Sequence, residues 1–142
     1  MTASRSNELS PPEYEMTFID HLDHLVMTCV DLAATKRFYV EVLQMQVETF
    51  GEGRTALKFG NQKINIHVRG GEFEPKAHLP VPGSLDLCFI AAVPLDDVIS
   101  HLKQCNWPIL EGPVERTGAV QKIRSIYVRD PDLNLIEISE NI

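Results

Sequence analysis

The sequence is poor in the features that mark disulfide-stapled, membrane-embedded and secreted proteins. It contains 3 cysteines, an odd number, and Cys29, Cys88 and Cys105 lie far apart in apolar surroundings, which predicts buried, reduced thiols. No apolar run approaches the length of about 20 residues that a membrane span needs. The first residues lack the apolar core of a signal peptide. We therefore expect a cytoplasmic protein that does not bind membranes.

Positive charge is also scarce. The chain has 13 lysines and arginines against 20 aspartates and glutamates, with a formal net charge of -7. This balance argues against a nucleic-acid partner and favours a small-molecule substrate. A chain of 142 residues buries roughly two thirds of its unfolded surface without a structural metal. A bound metal is therefore expected to serve chemistry rather than folding.

The hydrophobic pattern indicates one domain built from a repeated unit. Residues 1–17 are polar, carry Pro11-Pro12 and show no periodicity, which predicts a flexible arm. Within the single domain 18–142, residues 18–69 are typical of the order β-α-β-β-β. A connection rich in glycine and proline follows, and residues 83–142 repeat that order. The fold class expected is α+β.

Local signals place the helices and turns of the two modules. Asp31 is a candidate N-cap for an amphipathic helix over 32–43, and Pro94 stands at the start of a second helix. A strand is expected at 108–112, followed by a flexible loop with the sequence ERTGAV. The sequence Asp130-Pro131-Asp132 predicts the turn between the last two strands.

Two such modules placed edge to edge would form an open, cup-shaped mixed sheet with the helices outside. Its concave side is lined by alternate residues of the first and last strands of each module. Polar side chains that can bind a metal occupy those positions on all four strands. They are His24, then Asn65 and His67 on one face of the fourth strand, then Asp86, then Glu137.

Two of these positions can be interpreted in two ways. Glu137, at the centre of LNLIEIS, is costly to bury unpaired; a divalent cation would satisfy it, and so would an ion pair with Arg124 or Lys122. On the fourth strand, either Asn65 or His67 is the counterpart of Glu137. The pattern does not decide between them, and we favour His67 because imidazole is the better ligand for a transition metal.

The chain resembles the vicinal oxygen chelate superfamily, which includes glyoxalase I, extradiol dioxygenases and fosfomycin-resistance enzymes. The likeness spans about 19–139 and is carried by DHLVMTCVDLAATKRFYVEVLQM, FGNQKINIHV, PGSLDLCFI and YVRDPDLNLIEIS. The motifs EFEPKA and EGPVERTGA are similar to the glyoxalase domain-containing protein 5 group, which has virulence-associated bacterial relatives.

The resemblance implies a divalent metal (Zn, Ni, Fe or Mn) held by His24, Asn65 or His67, Asp86 and Glu137. Asp86 is shorter than the histidine or glutamate usual at its position, so the resemblance leaves two alternatives: Asp86 fails to reach the metal, or it acts through a water. Leu133 replaces the glycine common in this turn. The carboxylate usual in glyoxalase I at the fourth-strand position is also missing.

The expected function is that of a glyoxalase-like lyase or isomerase. A metal held by His24, His67 and Glu137 would coordinate adjacent substrate oxygens, with Glu137 as ligand or general base. Two histidines and a carboxylate also fit an extradiol-type dioxygenase. The same cup would also suit a metal-free binding or resistance protein, or an interaction protein with a vestigial pocket. We expect a homodimer. The residues expected to contact substrate are Asn65, Arg116, Thr117 and Tyr127.

Overall fold

The computed structural model describes residues 17–142. The predicted N-terminal arm, 1–17, therefore lies outside the described residues except for Thr17. The domain boundaries expected from the sequence stay a prediction.

The first module runs from β1 to β4. Its elements are β1 (His24–Cys29), α1 (Leu32–Arg37), a π-helical turn (Phe38–Val42), β2 (Gln46–Phe50), β3 (Arg54–Phe59) and β4 (Gln62–Val68). The Asp31 carboxylate accepts a 3.2 Å hydrogen bond from the Ala34 N–H, which confirms the predicted N-cap. The helix expected over 32–43 is only half α-helical, because the Leu43 N–H donates to the Phe38 carbonyl, five residues back.

The second module repeats the order. Its elements are β5 (Asp86–Ile90), α2 (Leu95–Gln104), β6 (Glu111–Thr117), β7 (Lys122–Arg129) and β8 (Leu135–Asn141). Pro94 precedes α2 as expected. The first backbone N–H of α2, at Leu95, donates to the Glu140 carboxylate at 2.8 Å. The Leu95 N–H would otherwise lack a partner within the helix.

The eight strands form two four-stranded sheets, in the orders β1-β4-β3-β2 and β5-β8-β7-β6. In each module the first strand runs parallel to the last, and the other neighbours are antiparallel. The α+β class and the tandem βαβββ modules are thus confirmed. Within residues 17–142 the two sheets share no strand pairing, and neither closes into a barrel.

A single hydrophobic core joins the modules. Alternate residues of the strands, such as Met27 and Ile136, are buried in one cluster that includes both helices. Phe38 packs on Trp107 with ring centroids 4.8 Å apart. The buried Tyr39 hydroxyl donates a 2.6 Å hydrogen bond to Asp130. Burial and the neighbouring Asp130 charge raise the pKa of Tyr39, so its hydroxyl stays protonated.

The turn between β7 and β8 is organised by Asp130. Its carboxylate accepts from the backbone N–H groups of Asp132 and Asn134, at 2.9 Å each. Leu133 has φ +70°, the left-handed conformation that glycine adopts most easily. Leu133 therefore replaces the expected glycine at a position whose backbone conformation favours glycine.

Two further expectations need correction or qualification. Arg116 and Thr117 are not in a loop, because β6 extends to Thr117, which pairs with Lys122. Cys29 is buried as expected, but Cys88 is exposed because it alternates with the inward-facing Phe89 on β5. Within residues 17–142, neither helix has the length and apolar character that crossing a bilayer requires.

Candidate functional site

Each sheet has one face in the core and one face turned away from it. On β1, Met27 is buried in the core, whereas Val26 on the other face is 45% exposed. The polar residues selected from the sequence all lie on these outward faces. On the first sheet they are His24, Asn65 and His67; on the second they are Asp86, Tyr127 and Glu137.

His24 is the first residue of β1 and is exposed. Its Nδ1 lies 2.9 Å from the Asp23 carboxylate, and this hydrogen bond lowers the pKa of Asp23. A carboxylate on one ring nitrogen orients the other nitrogen, as is usual for metal-binding histidines. The sequence reasoning missed the role of Asp23. The only sequence signal for this contact is that Asp23 directly precedes His24.

The strand register makes Asn65 the counterpart of Glu137. Asn65 lies opposite Val26, and Glu137 lies opposite Cys88. Val26 and Cys88 are each the third residue of their strand, counted from His24 and Asp86. The Asn65 side chain therefore lies at the position equivalent to Glu137, where ligand chemistry had led us to favour His67. Asn65 is half-buried, and its Oδ1 is buried without a hydrogen-bond partner within residues 17–142.

His67 lies farther along the strand. It pairs with Thr28, four residues beyond His24, which places the two histidines roughly 13 Å apart along the strand direction. His67 is 6% exposed, and its ring meets the Phe73 ring edge-on at 5.6 Å between centroids. Burial, with the nearby Arg54 charge, lowers the pKa of His67 and favours the neutral imidazole.

Glu137 is half-buried on the outward face of β8, between Cys88 and Tyr127 in the register. Its Oε2 lies 3.5 Å from the Ser139 hydroxyl. Arg124 instead pairs with Asp96 and Glu140, at 3.0 Å each. Within the described chain, neither Arg124 nor Lys122 forms the ion pair with Glu137 that would have given the carboxylate a purely structural role.

Tyr127, Arg116 and Thr117 line one cavity of about 590 Å³ together with Glu137. Arg116 Nε donates to the Tyr127 hydroxyl at 2.9 Å, and its terminal nitrogen donates to Glu111 at 3.1 Å. Burial raises the pKa of Tyr127, and the Glu137 charge adds to the shift. Three of the four expected substrate-contacting residues are therefore beside Glu137, and the tyrosine is a proton donor at neutral pH.

One chain does not assemble the whole set of predicted ligands. Asp86 is exposed at the start of β5, on the same sheet as Glu137, whereas His24 is on the other sheet. Across residues 17–142, no three histidine, cysteine, aspartate or glutamate side chains lie together as a metal-binding group. The donors are divided into two partial sets, one on each outward face.

Comparisons with known proteins agree with this fold. Residues 21–138 match the family model of the Glyoxalase/Bleomycin resistance protein/Dioxygenase superfamily. Virulence protein STM3117 of Salmonella typhimurium is 57% identical over 124 residues, which cover 87% of this chain and 86% of that protein. Its crystal structure superimposes with a TM-score of 0.87, covering 89% of this chain and all of the other.

Two further relatives extend the comparison. The glyoxalase domain-containing protein RDO1 of Mycosarcoma maydis is 58% identical over 118 residues, covering 83% of this chain and 66% of the fungal protein. An integron cassette protein from the mobile metagenome of V. cholerae has 53% sequence identity to this chain. Its structure superimposes with a TM-score of 0.85 over 88% of this chain and 98% of the other. The chain belongs to the glyoxalase/bleomycin resistance protein/dioxygenase superfamily.

Proposed function

We propose that this protein is a metal-dependent, glyoxalase-like lyase or isomerase. Its substrate is a small molecule with two adjacent oxygens, which coordinate a divalent ion. In this proposal the ion is held between two copies of the chain, by the first module of one copy and the second module of the other.

The observation that supports this most directly is a buried acceptor without a partner in the described chain, Asn65 Oδ1, at the position equivalent to Glu137. Asn65 Oδ1 is buried without a hydrogen bond, and Glu137 is half-buried without a basic partner within residues 17–142. Keeping the buried amide oxygen unpaired costs free energy unless a ligand completes it, whereas Glu137 has the Ser139 hydroxyl as a partner but no cation among the described residues. A cation is the partner that satisfies a carboxylate and an amide oxygen together.

The donor types fit a divalent first-row metal. His24 offers one imidazole nitrogen while Asp23 holds the other. Asn65, Asp86 and Glu137 offer oxygens. One nitrogen with three oxygens suits Zn, Ni, Fe or Mn, and the low proportion of nitrogen favours the harder ions of this group. These donors therefore fit a divalent first-row metal when the two partial sets lie together in a dimer.

A second copy is the simplest way to bring them together. β1 and β5 each pair with a single strand within residues 17–142, so each has a free edge. Val26 and Ile90 are exposed on the outward faces of these strands. Beside His24, Lys58 and Lys63 lie directly opposite each other, whereas the second sheet presents Asp86 and Glu137. Complementary faces on one chain favour a two-fold dimer in which each contact occurs twice.

The chain's own residues then have distinct roles. A bound divalent ion would supply Lewis-acid polarisation of the two substrate oxygens. Glu137 would take the substrate proton when it acts as the general base. Tyr127, protonated and next to Glu137 in the register, would donate a hydrogen bond to developing negative charge, and Arg116 would orient the tyrosine. Thr117 would border the substrate in the same cavity.

Metal analysis of the purified full chain, combined with a substrate screen, tests the proposal. We expect about one equivalent of divalent metal per chain, together with turnover of the methylglyoxal–glutathione hemithioacetal or a related oxygenated compound. His24→Ala should lose both metal and turnover. His78→Ala, which changes an exposed histidine of the connection, should keep both. A metal-free wild-type chain that does not turn over after Mn, Fe, Ni or Zn is added would refute the proposal.

Two observations bear on the competing functions. An extradiol dioxygenase using His24, His67 and Glu137 would need both histidines within about 2 Å of one ion. The strand register separates them by four residues, so catechol turnover is not expected. The second candidate function is that of a metal-free binding protein. It is supported by the division of the ligands between two sheets and by two cavities of about 400 and 590 Å³. Retained ligand binding after chelation, without turnover, would support that function.

A further inference from the structure

A second cavity, of about 400 Å³, lies between the outward face of the first sheet and the connection between the modules. Val26, Thr28 and His67 contribute its strand side. Pro75, Leu79 and Val81 are among the residues that the connection contributes. None of the four proposed metal donors lines the cavity, although Val26, on its wall, pairs with one of them, Asn65.

His67 is the unexplained group in this cavity. The side chain is 6% exposed, its Nδ1 is shielded from solvent, and the ring forms no hydrogen bond within residues 17–142. Its only close ring contact in that range is the edge-on packing with Phe73. A buried imidazole without a partner costs free energy that leucine or phenylalanine would not. Nε2 is not shielded in this way, so it is the ring nitrogen to which a ligand in the cavity would hydrogen-bond.

The strand register separates His67 from the proposed metal donors. It pairs with Thr28, whereas Asn65 takes the position equivalent to Glu137. Thr28 is itself buried on the same cavity wall, since its exposed fraction is 8%. The two side chains are neighbours on a cavity wall that is otherwise apolar except for Lys76 and Ser84.

The charges around the cavity indicate an uncharged ligand. Lys76 lines the cavity, but its ammonium is paired with the Glu74 carboxylate. The remaining wall is mainly proline, leucine, valine and alanine. Such a pocket binds an apolar body and orients it through one or two polar groups. Around His67 the Arg54 charge lowers the pKa of the imidazole, whereas the charges of Glu72 and Glu74 raise it. With charges of both signs nearby and Lys76 paired to Glu74, neither an anion nor a cation gains much in this cavity.

We propose that this cavity is a ligand pocket separate from the metal site. In it, His67 makes a single hydrogen bond to the hydroxyl or carbonyl group of a small, neutral, mainly apolar molecule. Thr28 is the second polar contact. The proposal does not depend on the metal, because every residue involved lies on one chain and outside the proposed ligand set.

Binding of matched probes to the full-length protein in the presence of a chelator tests it. The probes are 4-ethylphenol and acetophenone, with ethylbenzene as the hydrocarbon control. Backbone amide signals in two-dimensional NMR should shift for residues 26–28, 67, 76–79 and 81. His67→Phe should lower the affinity for 4-ethylphenol about fivefold to tenfold. The affinity for ethylbenzene should stay the same or increase. His78→Phe, at an exposed position in the same connection, should leave all affinities unchanged.

Ala77→Phe provides a second test that leaves the sheet untouched. Ala77 lines the cavity from the connection, so a larger side chain there should fill the space and abolish binding of every probe. The proposal is overturned if wild-type protein shows no shifts at the lining residues up to probe solubility. It is also overturned if a folded His67→Phe binds 4-ethylphenol and acetophenone as well as wild type does. Loss of metal from His24→Ala without any effect on probe binding would confirm that the two sites are separate.

Discussion

Asn65 and Glu137 hold equivalent positions in the two modules, each on the outward face of the last strand of its module. One is neutral and the other is charged. The charge of the donor set governs how tightly a divalent cation is bound. This relationship gives a direct prediction for the metal site.

Asn65→Glu should raise metal affinity about tenfold or more, because it adds a second carboxylate to the donor set. Competition with a metallochromic chelator measures the change. Asn65→Gln is the matched control, since it has the same length as glutamate without the charge, and it should give no gain. Equal affinities for the glutamate and glutamine variants would contradict the assignment of Asn65 to the metal.

Tyr39→Phe should lower the free energy of unfolding by about 1–3 kcal/mol, because it removes a hydrogen bond to a buried carboxylate. The Tyr39 hydroxyl lies 2.6 Å from Asp130, which joins the first module to the β7–β8 turn. Urea denaturation followed by circular dichroism measures the loss. Tyr127→Phe, at a half-exposed tyrosine bonded to Arg116, should cost less than Tyr39→Phe. The reverse order would contradict the role given to the buried pair.

Glu140 should make stability depend on pH on the acid side. The Leu95 N–H, followed by Arg124, holds the pKa of Glu140 below its ordinary value of 4.5. Its contribution is therefore complete above pH 4.5 and is lost as the pH falls through the lowered folded-state pKa. Glu140→Gln should flatten this part of the stability curve, measured by urea denaturation across the acid range. Parallel curves for the two proteins would contradict the prediction.

Leu133→Gly should raise the free energy of unfolding by about 0.5–1 kcal/mol, because glycine relieves the strain of a left-handed residue. Leu133 is 67% exposed, so little apolar burial is lost. Thermal or urea unfolding measures the gain. A decrease in stability would show that the extra chain entropy of glycine outweighs the relieved strain at this position.

The alternation of apolar residues allowed most of the fold to be predicted. In β4 and β8 it is strong, because the residues of one face, such as Ile64 and Ile136, are buried in the core. β6 was misplaced because nearly all of its residues are exposed, so its sequence lacks the alternation that marks a half-buried strand. The π-helical turn after Arg37 leaves the spacing of apolar residues helical, and the sequence therefore predicted one continuous helix.

The sequence predicted which face of each strand carries the candidate site residues. It did not predict the strand register that aligns them. Alternation places Asn65 and His67 on the same side of β4, and a slide of two residues preserves that side. Only the observed pairing of Val26 with Asn65 distinguishes them. The division of His24 and Glu137 between two sheets was likewise invisible, because alternation indicates which side of a sheet a residue faces and not how two sheets pack.

The most direct test of a metal site shared between two copies is a mixed dimer. His24→Ala and Glu137→Ala chains, carrying different affinity tags, are co-expressed, the heterodimer is isolated, and its metal content is measured. Each parent homodimer should be nearly metal-free, whereas the heterodimer should regain about one metal ion, because one of its two sites keeps both His24 and Glu137. A heterodimer as empty as its parents, or a chain that is monomeric and binds metal alone, would contradict a site built across two copies.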